Sequence, residues 1–383
     1  MYWGRSLALK IAHLSDTHLG YRAYSRTSQK GFNQREEDML LAFGRALDAI
    51  AERDPDLVVH AGDFFHWVRP SNGTIVHAFR RLSSFQTKRQ GRPFLIVGGN
   101  HDTPKTREIG NILGLFASIP GVYVESVDAR SFDLGGGLHV LAAPSMAMSQ
   151  QDKWELEPDA HSRFNVLVAH APFREVIFNA PFSVLDLKPE RWSYVALGDI
   201  HFHQVFASNC CYSGATEFSE TDPWSSVDRP RGWVWYDTEV GEIEFVPVAT
   251  RKFIDLPVID ASGLSGLEIV DRMLAQAVWD DDDNPVVRQK VNGISPEALE
   301  HIDRVRVNSL IDRCLDYYAD LRGVGRASGR LEETTAARSI EQEWEEWIGA
   351  FDARREFDRE TARVLGADYL RKVLDDSEPT EAR

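Results

Sequence analysis

Cysteine is scarce in this chain: three in 383 residues, with Cys210 and Cys211 adjacent and Cys314 alone. Such a set is not a disulfide framework, and it points to a reducing cytoplasm. Long apolar runs are lacking too, so no stretch has the length needed to span a bilayer. The first ten residues lack the apolar core and cleavage site of a signal peptide, and a strand pattern begins at once. Positive charge is in deficit: 43 Lys and Arg against 59 Asp and Glu leave a net charge of −16. That balance argues against a protein that coats a phosphate backbone with basic side chains. It still admits an enzyme that meets DNA locally through bound metal ions. Part of the acidity is also remote, because Leu331 to Arg383 carry 15 acidic and 8 basic residues, −7 of the −16. No Ser or Cys triad for nucleophilic catalysis is evident.

With 43% hydrophobic and 27% charged residues, the chain has the composition of a globular protein, long enough for one large domain and a smaller one. Five short apolar runs organise it, each ending in Asp, His or Asn. Leu7 to Leu14 runs into Ser15-Asp16-Thr17-His18, and Leu57 to Ala61 into Gly62-Asp63-Phe64-Phe65-His66. Pro93 to Val97 leads to Gly98-Gly99-Asn100-His101-Asp102, and Phe164 to Ala169 to His170. Tyr194 to Leu197 ends in Gly198-Asp199-Ile200-His201-Phe202-His203. The runs have the length of buried strands, and α/β sheets place ligands at the carboxyl ends of their strands. Of these ends, Gly98 to Asp102 taken alone reads about equally well as a polar turn, and Asp16-x-His18 alone is a weak signal. Five of them are hard to attribute to chance. Helical periodicity predicts helices over Arg35 to Ala51, with Met39, Phe43, Leu47 and Ile50 on one face, and over about Thr74 to Phe85. Gly135-Gly136-Gly137 marks a hairpin, and Tyr212 to Val248 reads as an antiparallel meander.

Asp16, His18, Asp63, Asn100, His170, Asp199 and His201 form a candidate ligand set. Imidazole, carboxylate and amide oxygen donors together suit manganese, iron or zinc rather than a thiolate-type structural site. Seven donors exceed one tetrahedral shell and fill two if a carboxylate bridges. Two ions about 3.5–4 Å apart clamp the oxygens of an in-line phosphoryl displacement and turn bound water into a nucleophile near neutral pH. His101 is then free to stabilise the transition state or protonate the leaving oxygen, and adjacent Asp102 to orient its ring. His66 reads either as a packed core histidine or as a side chain reaching substrate.

The series Asp16-x-His18, Gly62-Asp63, Gly99-Asn100-His101-Asp102, His170 and Gly198-Asp199-x-His201 resembles the calcineurin-like metallophosphoesterase superfamily. Arg35-Glu36-Glu37-Asp38, His66, Ala196-Leu197-Gly198 and Tyr212-Ser213-Gly214 are similar to its DNA-repair nuclease branch, typified by the SbcD subunit of bacterial SbcCD. The likeness covers roughly the first 310 residues. It implies a four-layer αββα sandwich with a small α/β cap domain and a C-terminal helical segment. Asp16, His18, Asp63 and His201 would hold a first metal, and Asp63, Asn100, His170 and residue 199 a second, with Asp63 bridging. His101 would be catalytic, His66 would help position the nucleotide, and the ions would be manganese. Where the family has Gly-His-x-His, this chain has Gly198-Asp199-Ile200-His201. Sliding by two would make His201 and His203 the ligands; Ala196-Leu197-Gly198 keeps the first register.

The resemblance places a nuclease domain at 1–250, a cap at 251–325 and a C-terminal helical segment at 326–383. Within the cap, strands at Ile254 to Ile259 and Val286 to Val291 and helices at Leu267 to Val278 and Val305 to Leu321 are expected, with Asp280 to Asp283 a solvated connector. Trp344, Trp347, Ile348 and Phe351 fall at helical spacing, either packed on the protein's own core or docking a partner. The resemblance implies an SMC-like ATPase of the SbcC type as that partner, DNA as substrate, and pairing of two copies. The expected function is a two-metal DNA nuclease in double-strand-break processing. A phosphoesterase of cyclic nucleotides or phosphomonoesters is the alternative.

Overall fold

The computed structural model describes residues 8–106, 110–150, 156–280 and 284–323, and beyond these 344, 348, 361 and 363–366. The chain divides into two compact units, Met1–Gly323 and Val324–Arg383.

In the first unit β1 (Lys10–Leu14), α1 (Gln34–Arg53), β2 (Leu57–Ala61), α2 (Asn72–Lys88), β3 (Phe94–Val97) and β4 (Val122–Glu125) build a parallel sheet. Asn33 starts α1 by accepting from the Arg35 and Glu36 amides, and Ser71 caps α2 through the Thr74 amide. A second sheet follows from β5 (Arg130–Asp133), β6 (Leu138–Ala143), the single-turn helix α3 (Ser145–Met148), β7 (Phe164–His170), β8 (Tyr194–Gly198), β9 (Gln204–Ala207) and β10 (Cys210–Tyr212). Its strand order is β5-β6-β7-β8-β10-β9. The chain then returns to the first sheet as the hairpin β11 (Gly232–Asp237) and β12 (Glu242–Pro247), completing the order β12-β11-β1-β2-β3-β4.

Strand residues alternate between two cores. Ile11, Val59, Leu95 and Val97 meet Val140, Val166, Val168 and Ala196 between the sheets. Ala12, Val58 and Ile96 face outward onto Phe43 and Leu47 of α1 and Ala78 and Leu82 of α2. Leu141, Leu167 and Val195 face the other way, onto Met148, Leu187 and Trp192. Burial on both faces is why these strands read as unbroken apolar runs. The result is the four-layer sandwich, with a fourth layer built from α3 and the 3-10 turns Val184–Leu187 and Pro189–Arg191.

A third, all-parallel sheet comprises β13 (Phe253–Asp255), β14 (Ile259–Asp260), β15 (Val286–Ile294) and β16 (Asp316–Gly323), with α4 (Gly266–Gln276), α5 (Pro296–Glu300) and α6 (Arg304–Asn308). Ile259, Ile269, Met273, Val287, Val291 and Tyr317 form its core. Arg251 joins it to α1 by donating to both oxygens of Asp38, at 2.5 and 2.6 Å.

Three expectations need correction. The helix expected over Val305 to Leu321 ends at Asn308, passes through a 3-10 turn, and gives way to β16. Tyr317, Ala319 and Leu321 pack on the third sheet's core with a period of two, and pairing with β15 overrides helical spacing. The single strand expected over Ile254 to Ile259 is two short ones, β13 and β14, split around exposed Pro257 and Val258. The expected meander is no single sheet: β10 pairs with β8 and β9, whereas β11 and β12 extend the first sheet beside β1.

In the second unit Trp344 and Ile348 are helical, Ile348 is buried, and Trp344 Nε1 donates to the Arg363 carbonyl at 3.2 Å. Trp347 and Phe351, the other half of the expected stripe, lie outside the described residues.

Candidate metal centre

The parallel strands of both sheets end on the same side of the sandwich, so the five strand-end segments converge. Backbone bonds from Asp16 to the Gly62 carbonyl and from His18 to the Asp63 carbonyl, both 3.0 Å, lock the first two loops together. Among described non-glycine residues nine have positive φ, and four of them are candidate ligands: Asp16 (50°), His18 (43°), Asp63 (53°) and Asp199 (109°). Backbone strain concentrated in one spot marks a functional site. Gly62 (φ 101°) serves the same convergence, since a Cβ there would lie 2.0 Å from His170 Nδ1. At Gly99 a Cβ would lie 2.0 Å from Asp63 Oδ1.

Asp63 sits between two groups of donors. Its Oδ2 is 3.7 Å from His18 Nε2 and 3.6 Å from His170 Nε2, and its Oδ1 accepts from the His101 amide at 2.9 Å. On one side, His18 Nε2 faces His201 Nε2 at 2.9 Å, with Asp16 close enough to complete a three-ligand group. On the other side, His170 Nδ1 lies 2.8 Å from the Ala61 carbonyl, a bond that assigns the proton to Nδ1. His170 Nε2 then faces oxygens, Asn100 Oδ1 at 2.9 Å and Asp199 Oδ1 at 3.5 Å, and is the nitrogen left to a metal. Asp199 also turns its amide onto Asp16, 3.1 Å from Oδ1.

The electrostatics are those of a site short of positive charge. Burial pushes the Asp16 carboxyl up, and it pushes Asp63 up to about 6, with Asp16 and Asp199 adding to the rise. His170 is pulled down by burial, but Asp63 and Asp199 outweigh that and hold it above the usual histidine range. Raised carboxyls and a raised histidine beside three acidic groups mark a site that takes up protons where no cation is bound, and divalent cations relieve the same charge. The donors are hard oxygens and imidazoles, so the residues present fit a pair of divalent ions.

His66 and His101 stand beside this cluster. Their rings stack at 5.0 Å between centroids, and His66 Nδ1 lies 3.1 Å from His18 Nδ1. His101 Nδ1 lies 3.2 Å from the His66 carbonyl, and that contact orients the ring. Asp102 does not orient it, contrary to expectation. The Asp102 carboxylate accepts from the Phe64, Phe65 and Gly99 amides at 2.8, 3.2 and 2.9 Å. Buried amides need acceptors, so Asp102 staples the Asp63 turn to the Asn100 turn. Burial, with Asp63 nearby, pushes its carboxyl up to about 7. His203 points elsewhere, with Nδ1 2.8 Å from the Tyr212 carbonyl and its ring stacked on Phe245.

Sequence reasoning missed Glu220. Its Oε1 lies 3.6 Å from His201 Nδ1 and accepts from Arg231 at 2.5 Å. Burial raises its pKa, but His201 and Arg231 outweigh that and hold it below the usual carboxylate range. Arg231 also donates to the His201 carbonyl, fixing both ends of that residue. Nothing in the local sequence marks Glu220, which reaches the site from a loop beyond β10.

The calcineurin-like phosphoesterase family matches residues 9–203, half of this chain and the part that carries every candidate ligand. The chain belongs to that family. Its metallophosphoesterase sandwich is related to proteins named DNA double-strand break repair protein Mre11. The one from Archaeoglobus fulgidus is 30% identical over 294 residues, 68% of this chain and 63% of that protein. The one from Thermoplasma acidophilum is 26% identical over 311 residues, covering 75% and 78%. The one from Methanocaldococcus jannaschii is 24% identical over 357 residues, covering 82% and 91%. The match thus spans a little less than two thirds of the Archaeoglobus relative. Among the described residues, no helix of this metallophosphoesterase is long and apolar enough to cross a membrane.

Proposed function

We propose that this metallophosphoesterase is a two-metal-dependent DNA nuclease acting in double-strand-break processing, as the nuclease subunit of an SbcCD-like complex in the cytoplasm. The observation that carries the reading is the convergence of Asp16, His18, Asp63, Asn100, His170, Asp199 and His201, with His66 and His101 beside them. The likeness to Mre11 proteins supports the substrate class. Asp16, His18, Asp63 and His201 would hold one ion and Asp63, Asn100, His170 and Asp199 the other, manganese in both. The pair would supply charge stabilisation for the phosphoryl oxygens and acidify water. His101 protonates the leaving oxygen, its ring aimed by the His66 carbonyl. Residues 251–325 form a cap over the substrate, 326–383 dock an SMC-like ATPase through helices, and two copies pair.

The test is cleavage of end-labelled linear DNA with Mn²⁺, Mg²⁺ or EDTA. Cleavage should require metal, and His101→Ala should lower kcat by roughly 10²–10⁴-fold with metal content unchanged. Turnover of a small phosphodiester without DNA cleavage would replace this reading with the small-substrate one.

A further inference from the structure

Trp67 is 56% exposed, and it is the one exposed tryptophan among the described residues. Its place makes that exposure informative. It follows His66 directly in the loop between β2 and α2, and its ring stands edge-on against the His66 ring, 4.6 Å between centroids. His66 in turn stacks on His101 and meets His18. The indole is therefore two ring contacts from the candidate metal ligand His18, at the solvent end of a continuous aromatic series. Tyr21 packs on His66 as well, at 5.0 Å. The indole N–H has no protein acceptor among the described residues, so no hydrogen bond explains the ring's position. Arg69, exposed and without an ion-pair partner among the described residues, lies two positions further along the same loop.

A flat π face held beside a phosphoryl-transfer centre, with a free cation on the same loop, is the combination that binds unpaired nucleic-acid strands. The base stacks and the cation follows the backbone. A duplex keeps its bases stacked on one another, so only a frayed, flipped or single-stranded nucleotide presents a face to the indole.

We propose that Trp67 forms a stacking subsite for an unpaired nucleobase of the DNA strand being cut, next to the scissile phosphate. The inference rests on the nuclease reading and adds to it: the subsite selects strands whose bases are already unpaired, and it does so without sequence preference because every base has a π face. His66 gives the indole its footing, and Trp67 itself touches substrate.

The experiment compares single-stranded oligothymidylate with an equally long oligonucleotide of abasic tetrahydrofuran residues, which keeps the phosphodiesters and lacks the bases. Both are offered in Mn²⁺ to the full chain and to its Trp67→Ala and Trp67→Phe variants. The proposal expects Trp67→Ala to lose roughly 5- to 150-fold in kcat/KM on oligothymidylate, with no loss on the abasic strand. Trp67→Phe should recover most of it. An equal loss on both strands would mean that the indole acts only by packing His66, and no loss on either would remove the contact; both results overturn the subsite. Affinity for the same two strands in Ca²⁺, read by fluorescence anisotropy, separates this from the parent reading. A protein that cuts neither strand and also leaves end-labelled linear duplex DNA intact refutes the nuclease reading. The subsite then stands if Trp67→Ala weakens binding of the base-bearing strand alone, and falls if it does not.

Discussion

A histidine that serves a metal needs its second nitrogen held, and the two sides of this centre do so differently. His170 leans on a backbone carbonyl, that of Ala61, whereas His201 has the Glu220 carboxylate behind it with Arg231 clamping the carboxylate. Glu220→Gln keeps the size and removes the charge, so His201 loses basicity while the loop keeps its shape. Metal affinity measured calorimetrically should fall by roughly 10- to 100-fold, the usual cost of losing an outer-shell partner, with the circular dichroism spectrum unchanged. Unaltered affinity would show that Glu220 serves the Arg231 loop alone. Seven candidate ligands were legible because each lies within four residues of the end of an apolar run. Glu220 was not, because its role depends on a loop beyond β10 folding back over the last strand-end segment.

At the level of elements, α1 is tied to both neighbouring parts of the first unit by buried charge. Arg35 pairs with Asp38 at 2.6 Å and Glu217 at 3.0 Å, and Arg251 grips the same Asp38. Burial raises the Asp38 pKa, but the Arg251 and Arg35 guanidiniums outweigh it and hold the carboxyl below its ordinary range. A carboxyl depressed in the folded state stabilises fully above its unfolded pKa, and that contribution is lost as pH falls through the folded value. Asp38→Asn leaves two buried guanidiniums without their shared anion and should cost about 3–5 kcal/mol at neutral pH, read as a lower urea midpoint. The difference between variant and wild type should shrink on acidification; a difference that stays constant would place the effect in packing rather than charge. Arg35-Glu36-Glu37-Asp38 stood out in the sequence as a motif. Its partners Glu217 and Arg251 lie some 180 to 210 residues away in the chain and were invisible there.

For the whole molecule, the sandwich carries an acid liability apart from the metal centre. His13 and His60 are fully buried in the first sheet, and burial is the largest cause pushing each down to about 3. His13 Nδ1 lies 3.0 Å from Tyr194 Oη in the second sheet, and His60 Nε2 lies 3.0 Å from Thr17 Oγ1, so each neutral ring has one partner. An unfolded histidine takes up a proton below about pH 6.5, whereas these two do so only near 3. The unfolded state therefore binds more protons across that window, and stability falls as pH drops through it. Each ring contributes about 1.4 kcal/mol per pH unit. Urea midpoints measured from pH 7 to pH 4 in EDTA should decline steeply, and a His13→Gln, His60→Gln double variant should flatten that slope.

What the amino-acid order determined alone is whatever depends on neighbours along the chain. Apolar runs of strand length, helical faces such as Met39, Phe43 and Leu47, and the polar residues that follow each strand all belong there. A strand buried on both faces must be apolar throughout, and a parallel strand must end where a loop begins, so site and fold share one local signal. Tertiary structure decided everything that needs two distant segments to meet. It drew Asp102 into the backbone amides of the Asp63 turn, split β10 from β11 between two sheets, and made a strand of Asp316–Gly323 beside β15. In each case a buried amide or an open strand edge was satisfied by the nearest partner in space, and periodicity along the chain carries no information about which partner that will be.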